Sequence, residues 1–178
     1  MIADPPARIA AQTGLRRPLP FRKVNRRDGA QYGPSLQRHH RLPCQLLTMR
    51  CFTPFFDAVG RERIGFDDFR RNGMLLPARE EAVGRLLLPL HRGPHRDYNA
   101  MVADRVGRIE RAWARDRVRF GTDNHEAAAM RLALLQKGLR RRLLDCRQPL
   151  MLNRKDPLGA GVDFSSLDAL AEELWAAA

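Results

Sequence analysis

Four of the five histidines in this chain fall in two tight groups, the adjacent pair His39-His40 and the pair His91 and His95. Imidazole near neutral pH is both the commonest metal ligand and the commonest general base, so the two groups form a candidate metal-dependent hydrolytic site. Adjacent residues on an extended segment point to opposite sides, and His39 and His40 therefore cannot both face one metal ion without distortion. One is expected as a ligand, the other as a base or a structural partner. His91 and His95 are spaced for one helix face, but Gly93-Pro94 between them opposes a continuous helix. His91 is expected from a loop and His95 from a first helical turn. His125, flanked by Asp123, Asn124 and Glu126, reads as an ordinary surface or hydrogen-bonded side chain.

A chain of 178 residues with 44% hydrophobic content can close one sizeable core and is short for two. Its formal charge of +12 favours a polyanionic partner such as nucleic acid or an anionic membrane surface. Lys23, Lys137 and Lys155 are the only lysines, and the dominance of Arg beside abundant Ala, Gly and Pro marks a GC-rich coding bias, so part of that charge is compositional. Cys44, Cys51 and Cys146 are odd in number and lack metal-type C-x-x-C spacing, which points away from a disulfide framework and toward small buried side chains in a reducing compartment. No run approaches the roughly 18 apolar residues of a membrane span, and Met1-Ile-Ala-Asp-Pro-Pro lacks a signal-peptide start. A cytoplasmic protein without membrane contact is expected.

Three regions follow from the pattern. Residues 1–34, with Pro5, Pro6, Pro18 and Pro20 and a run of basic residues, read as a flexible basic tail. Residues 35–120 hold the histidines. Ser35 to Pro43 is expected to be extended, and Cys44 to Gly60 helical on the spacing of Leu47, Cys51, Phe55 and Val59. A turn at Phe69–Gly73 precedes a short strand, Met74–Pro77. From Tyr98, the residues Val102, Val106, Ile109 and Trp113 mark one face of an amphipathic helix. Residues 121–178 form a helical extension: one helix from about Glu126 to Arg147 with Leu132, Leu135, Leu139 and Leu143 as its stripe, then a loop at 153–159, then a helix from Ser165 with Leu167, Leu170 and Leu174. Arg140-Arg141-Arg142 supplies a basic face. The expected class is α+β, mainly helical.

Hydrolysis of a phosphodiester needs an activated water, a cation at the scissile phosphate and stabilisation of the departing oxygen. A metal held by two or three histidines beside a free histidine supplies the first two. The segments Leu36-Gln37-Arg38-His39-His40-Arg41-Leu42-Pro43, Asn72-Gly73-Met74-Leu75-Leu76-Pro77 and Leu90-His91-Arg92-Gly93-Pro94-His95-Arg96-Asp97-Tyr98-Asn99 together closely resemble the AHH family of nucleases in the HNH/endonuclease VII superfamily. The resemblance spans roughly Ser35 to Trp113. Where the family name has Ala, this chain has Arg38.

The resemblance implies a ββα-metal finger clasping one divalent cation, Mg²⁺, Mn²⁺ or Zn²⁺, with additional C-terminal helices beyond it. It assigns His39, His91 and His95 to the metal, with Asn99 as a substitute ligand. His40 takes the role of general base and Asn72 that of the residue orienting the base or bracing the loop. Arg38, Arg92 and Arg96 flank the site as nucleic-acid contacts. The implied activity is a metal-dependent endonuclease with DNA favoured over RNA. The family is also associated with bacterial toxin effectors, for which an immunity-type protein would be the partner; with no delivery domain ahead of the motif, a freestanding enzyme is expected instead. The competing expectation is a non-catalytic zinc module, in which three histidines and Cys44 close a four-ligand shell on a basic nucleic-acid-binding protein.

Overall fold

The computed structural model describes residues 17–120, 123–148, 150–152 and 156; for 117–120 and 123 it describes the backbone alone. Strand β1, Leu36–His40, pairs antiparallel with β2, Gly73–Pro77, placing His39 opposite Met74 and His40 opposite Gly73. Between the strands lie two 3₁₀ turns, Cys44–Thr48 and Arg50–Phe52, and three short helices: α1 (Thr53–Val59), α2 (Arg61–Ile64) and α3 (Phe69–Asn72). After β2 come α4 (Glu80–Leu86), α5 (Arg96–Phe120) and α6 (Asp123–Leu143). The described chain is mainly helical with one two-stranded sheet, the α+β class the sequence suggested.

The apolar stripes expected on the two helices that begin near Tyr98 and Glu126 are found on α5 and α6. Val102, Val106 and Trp113 of α5 are buried with Leu132, Leu139 and Leu143 of α6, against Phe55, Phe56 and Val59 of α1. Removing each of these side chains from water contributes about 1.5–3 kcal/mol, so this cluster is the main support of the sheet that rests on it. Because α6 shares that cluster with α1 and α5, the helices on the two sides of residue 120 have a common core.

The single helix expected over Cys44 to Gly60 is not what forms. Cys51 is exposed, while Leu46 and Phe52 are buried. A 3₁₀ turn has three residues per turn rather than 3.6, so the four-residue spacing that marks an α-helix face does not hold there. Pro54 then sits in the first turn of α1, where its missing N–H costs no hydrogen bond. The turn expected at Phe69 is the short helix α3, capped by the Asp68 carboxylate accepting from Arg70 N–H.

The flexible tail expected through residue 34 is corrected from residue 17 onward. Leu19 N–H donates to Asp68 Oδ1 and Phe69 N–H to the Leu19 carbonyl, and Phe21 is buried. The aromatic side chain of Phe21 pins the segment to the hairpin, an anchor that the surrounding Pro and Arg residues concealed. Residues 1–16, the helix expected at Ser165 and all of the 153–159 loop except Asp156 lie outside the described residues. Among the described residues, no helix is long and apolar enough to cross a membrane.

Candidate metal centre

Alternation along β1 sends its two histidines to opposite faces, as their adjacency required. His39 is 3% exposed and its ring meets those of His91, His95 and Tyr98, with centroids at 5.0, 5.7 and 5.0 Å. The candidate ligand nitrogens of His39, His91 and His95 all lie within 4.8 Å of one another. Cys44 does not join that group; it is exposed on the first 3₁₀ turn. Asn99 turns its amide to Gln45, donating to Oε1 at 3.0 Å.

His91 and His95 are each oriented by a hydrogen bond. His95 Nδ1 faces the Leu152 carbonyl at 3.3 Å, and His91 Nδ1 faces Gln37 Oε1 at 2.9 Å. A carbonyl oxygen only accepts, so both Nδ1 atoms carry the proton and both Nε2 atoms present a lone pair. His39 Nε2 is buried and has no hydrogen-bond partner. An unsatisfied buried nitrogen costs about 1–3 kcal/mol, and a cation between the three rings would satisfy it. The donor set fits a metal ion.

Electrostatics keep the three imidazoles unprotonated. Burial, then the neighbouring His91 and His95, push His39 down to about 2, and burial followed by His95 pushes His91 down to about 4. Burial lowers His95 as well. All three therefore remain neutral at pH 7, the form in which imidazole binds metal.

The loop carrying His91 is held from below. Its N–H donates to the Pro77 carbonyl at the end of β2, and the N–H of the preceding Leu90 donates to buried Asp156 Oδ2 at 2.7 Å. Sequence reasoning had no signal for Asp156 or Leu152, which are far from the histidines in the chain and sit in a stretch without periodic pattern.

His40, on the other face of β1, lies flat on Phe21, with centroids 3.7 Å apart and planes 4° apart. Burial lowers its pKa and Arg38 adds to the effect, while Asp67 opposes it. Phe69 closes the stack edge-on against Phe21. Gly73, opposite His40, is required by this packing: a Cβ there would stand 2.1 Å from the Phe69 ring.

Asn72 is fully buried and its amide is fully used. It accepts from Leu42 N–H at 2.7 Å and donates to the carbonyls of Leu42 and Phe66, both at 3.1 Å. It braces the turn that follows His40. The same turn is tied by Tyr98, whose hydroxyl donates to the Arg41 carbonyl, and by the buried Arg41 guanidinium, which donates to the carbonyls of Arg70 and Gln136. Of the flanking arginines, Arg38 donates to the Phe21 carbonyl at 2.7 Å, and Arg92 and Arg96 are exposed beside the two loop histidines.

Residues 20–139, about two thirds of the chain, match the AHH family, a nuclease family of the HNH/ENDO VII superfamily with conserved AHH. The chain belongs to this family. The match starts at Pro20 and ends in α6, so it takes in the Phe21 anchor and much of the helical support as well as the histidines. Arg38, standing in place of the family's alanine, shares a β1 face with His40 and grips the Phe21 backbone, which explains how a long side chain is accommodated there. No curated protein and no solved structure matches the chain.

Proposed function

We propose that this AHH nuclease is a metal-dependent endonuclease, hydrolysing phosphodiester bonds of nucleic acid, with DNA the favoured substrate. The observation that carries the reading is buried His39, its Nε2 without a partner, grouped with His91 and His95 so that one nitrogen of each lies within 4.8 Å of the others, in a chain of a nuclease family. His39, His91 and His95 would hold one divalent cation, and three imidazoles suit Zn²⁺ or another transition ion while Mg²⁺ and Mn²⁺ remain candidates. When bound, that ion neutralises charge on the scissile phosphate and the departing oxygen.

His40 is the general base of this proposal. Burial and Arg38 hold it neutral near pH 7, so its ring can accept a proton from the attacking water. Phe21 fixes the plane of that ring, and Asn72 fixes the turn behind it. Arg38, Arg92 and Arg96 bind phosphates on either side of the scissile bond. In this reading β1, β2 and the start of α5 make up a ββα-metal finger. Three ligands without Cys44 leave a coordination position open, which supports hydrolysis over a closed structural zinc site.

The test is plasmid nicking with added Mg²⁺, Mn²⁺ or Zn²⁺ beside an EDTA control and the His40→Ala variant. Metal-dependent cleavage that His40→Ala abolishes while still binding metal is the expected outcome. A fully metal-loaded protein that cuts neither DNA nor RNA would sink the proposal.

A further inference from the structure

A groove of about 670 Å³ runs between the N-terminal segment and β1, and its walls carry Arg22, Arg26, Arg27 and Arg38. Asp28 is its one acidic residue and is engaged by Arg26 in a paired contact. Arg22 and Arg27 have no hydrogen-bond or ion-pair partner among the described residues, so two guanidinium groups stand ready for an external anion. Tyr32 adds an aromatic side chain, 37% exposed, to the same wall.

The groove is built, not a loose tail. Asn25 takes a left-handed backbone conformation, φ 48°, which Asn tolerates better than most residues. Its side chain donates to the carbonyls of Gly33 and Leu36 and accepts from Gly33 N–H at 2.7 Å. Those three bonds close the loop of residues 25–33 onto the start of β1 and hold Arg26, Arg27 and Tyr32 at its rim.

One residue joins the groove to the metal centre. Gln37 lines the groove, and its side-chain oxygen accepts from His91 Nδ1. We infer that this groove binds a single-stranded stretch of nucleic acid leading away from the scissile bond, with phosphates on Arg22 and Arg27 and a base against Tyr32. Its volume falls within the roughly 300–1,000 Å³ of small-ligand pockets, a size that suits one or two nucleotides of a strand. Arginine along a backbone with an aromatic platform is the chemistry that holds single strands without reading sequence. The direction of the strand rests on the nuclease reading; the groove itself does not.

Binding of a short labelled single-stranded oligonucleotide, followed by fluorescence anisotropy in EDTA over a salt series, tests this without cleavage. Arg22→Ala/Arg27→Ala is expected to weaken binding and to reduce the salt slope by about 1.4, at about 0.7 per single-strand phosphate contact. Tyr32→Ala is expected to weaken binding about tenfold at every salt concentration, with the slope unchanged. Unchanged binding in both variants overturns the inference, as does a loss confined to a duplex of the same sequence. Wild type and His40→Ala are assayed for cleavage alongside. If neither cuts but the arginine variant still loses binding, the groove stands and the nuclease reading falls.

Discussion

The imidazole of His40 lies parallel to the phenyl ring of Phe21 at a centroid distance of 3.7 Å. The two residues belong to segments that only the fold brings together, and the contact fixes the plane of the proposed base. Phe21→Leu keeps most of the buried volume and removes the stack. Since an aromatic pair contributes about 0.5–1.5 kcal/mol beyond its burial, the variant is expected to cut about tenfold more slowly in single-turnover assays. Metal affinity, measured by calorimetry, is expected to stay within about twofold of wild type. An equal loss of both would refute a role confined to His40.

Gly73 supports the same stack from beneath. Gly73→Ala drives a methyl group into the Phe69 ring, and relief must move Phe69 or the strand. Overpacking of this kind costs about 1–3 kcal/mol, so the denaturation midpoint is expected to fall and cleavage to fall with it. A variant as stable and as active as wild type would show that Phe69 has room to retreat.

Asp156 holds the Leu90 N–H just ahead of His91. Asp156→Asn keeps the shape and removes the charge that strengthens this bond. Contacts that orient metal ligands typically govern metal affinity by about 10–100-fold, and a loss in that range is expected by chelator competition. An unchanged affinity would mean that the Pro77 contact alone positions the loop.

Acid should unfold the metal-free protein early. His39 and His91 have folded pKa values depressed to about 2 and about 4, against 6.5 for the ordinary imidazole. The unfolded state therefore takes up protons first, and stability falls as pH drops below 6.5; both histidines contribute down to about 4, and His39 alone below that. At about 1.36 kcal/mol per pH unit, His39 by itself costs about 2 kcal/mol at pH 5. Urea midpoints in EDTA at pH 7 and pH 5 check this, and equal midpoints for wild type would refute the buried neutral triad.

The sequence by itself determined which residue types could do chemistry here and on which sides they would lie. Period two on a strand separates His39 from His40, and period 3.6 on a helix buries Val102, Val106 and Trp113 together; both are local geometry, readable from spacing. The resemblance added a family, which the match over residues 20–139 bears out. Local geometry could not show that Asn72 spends its amide on Leu42, Phe66 and Gln136, nor that Phe21, inside an apparent tail, carries His40. Those are contacts between segments far apart in the chain, and so are Leu152 against His95 and Asp156 beneath His91. Only tertiary structure decided them, because a side chain in a patternless stretch acquires its partner from packing and not from its neighbours in sequence.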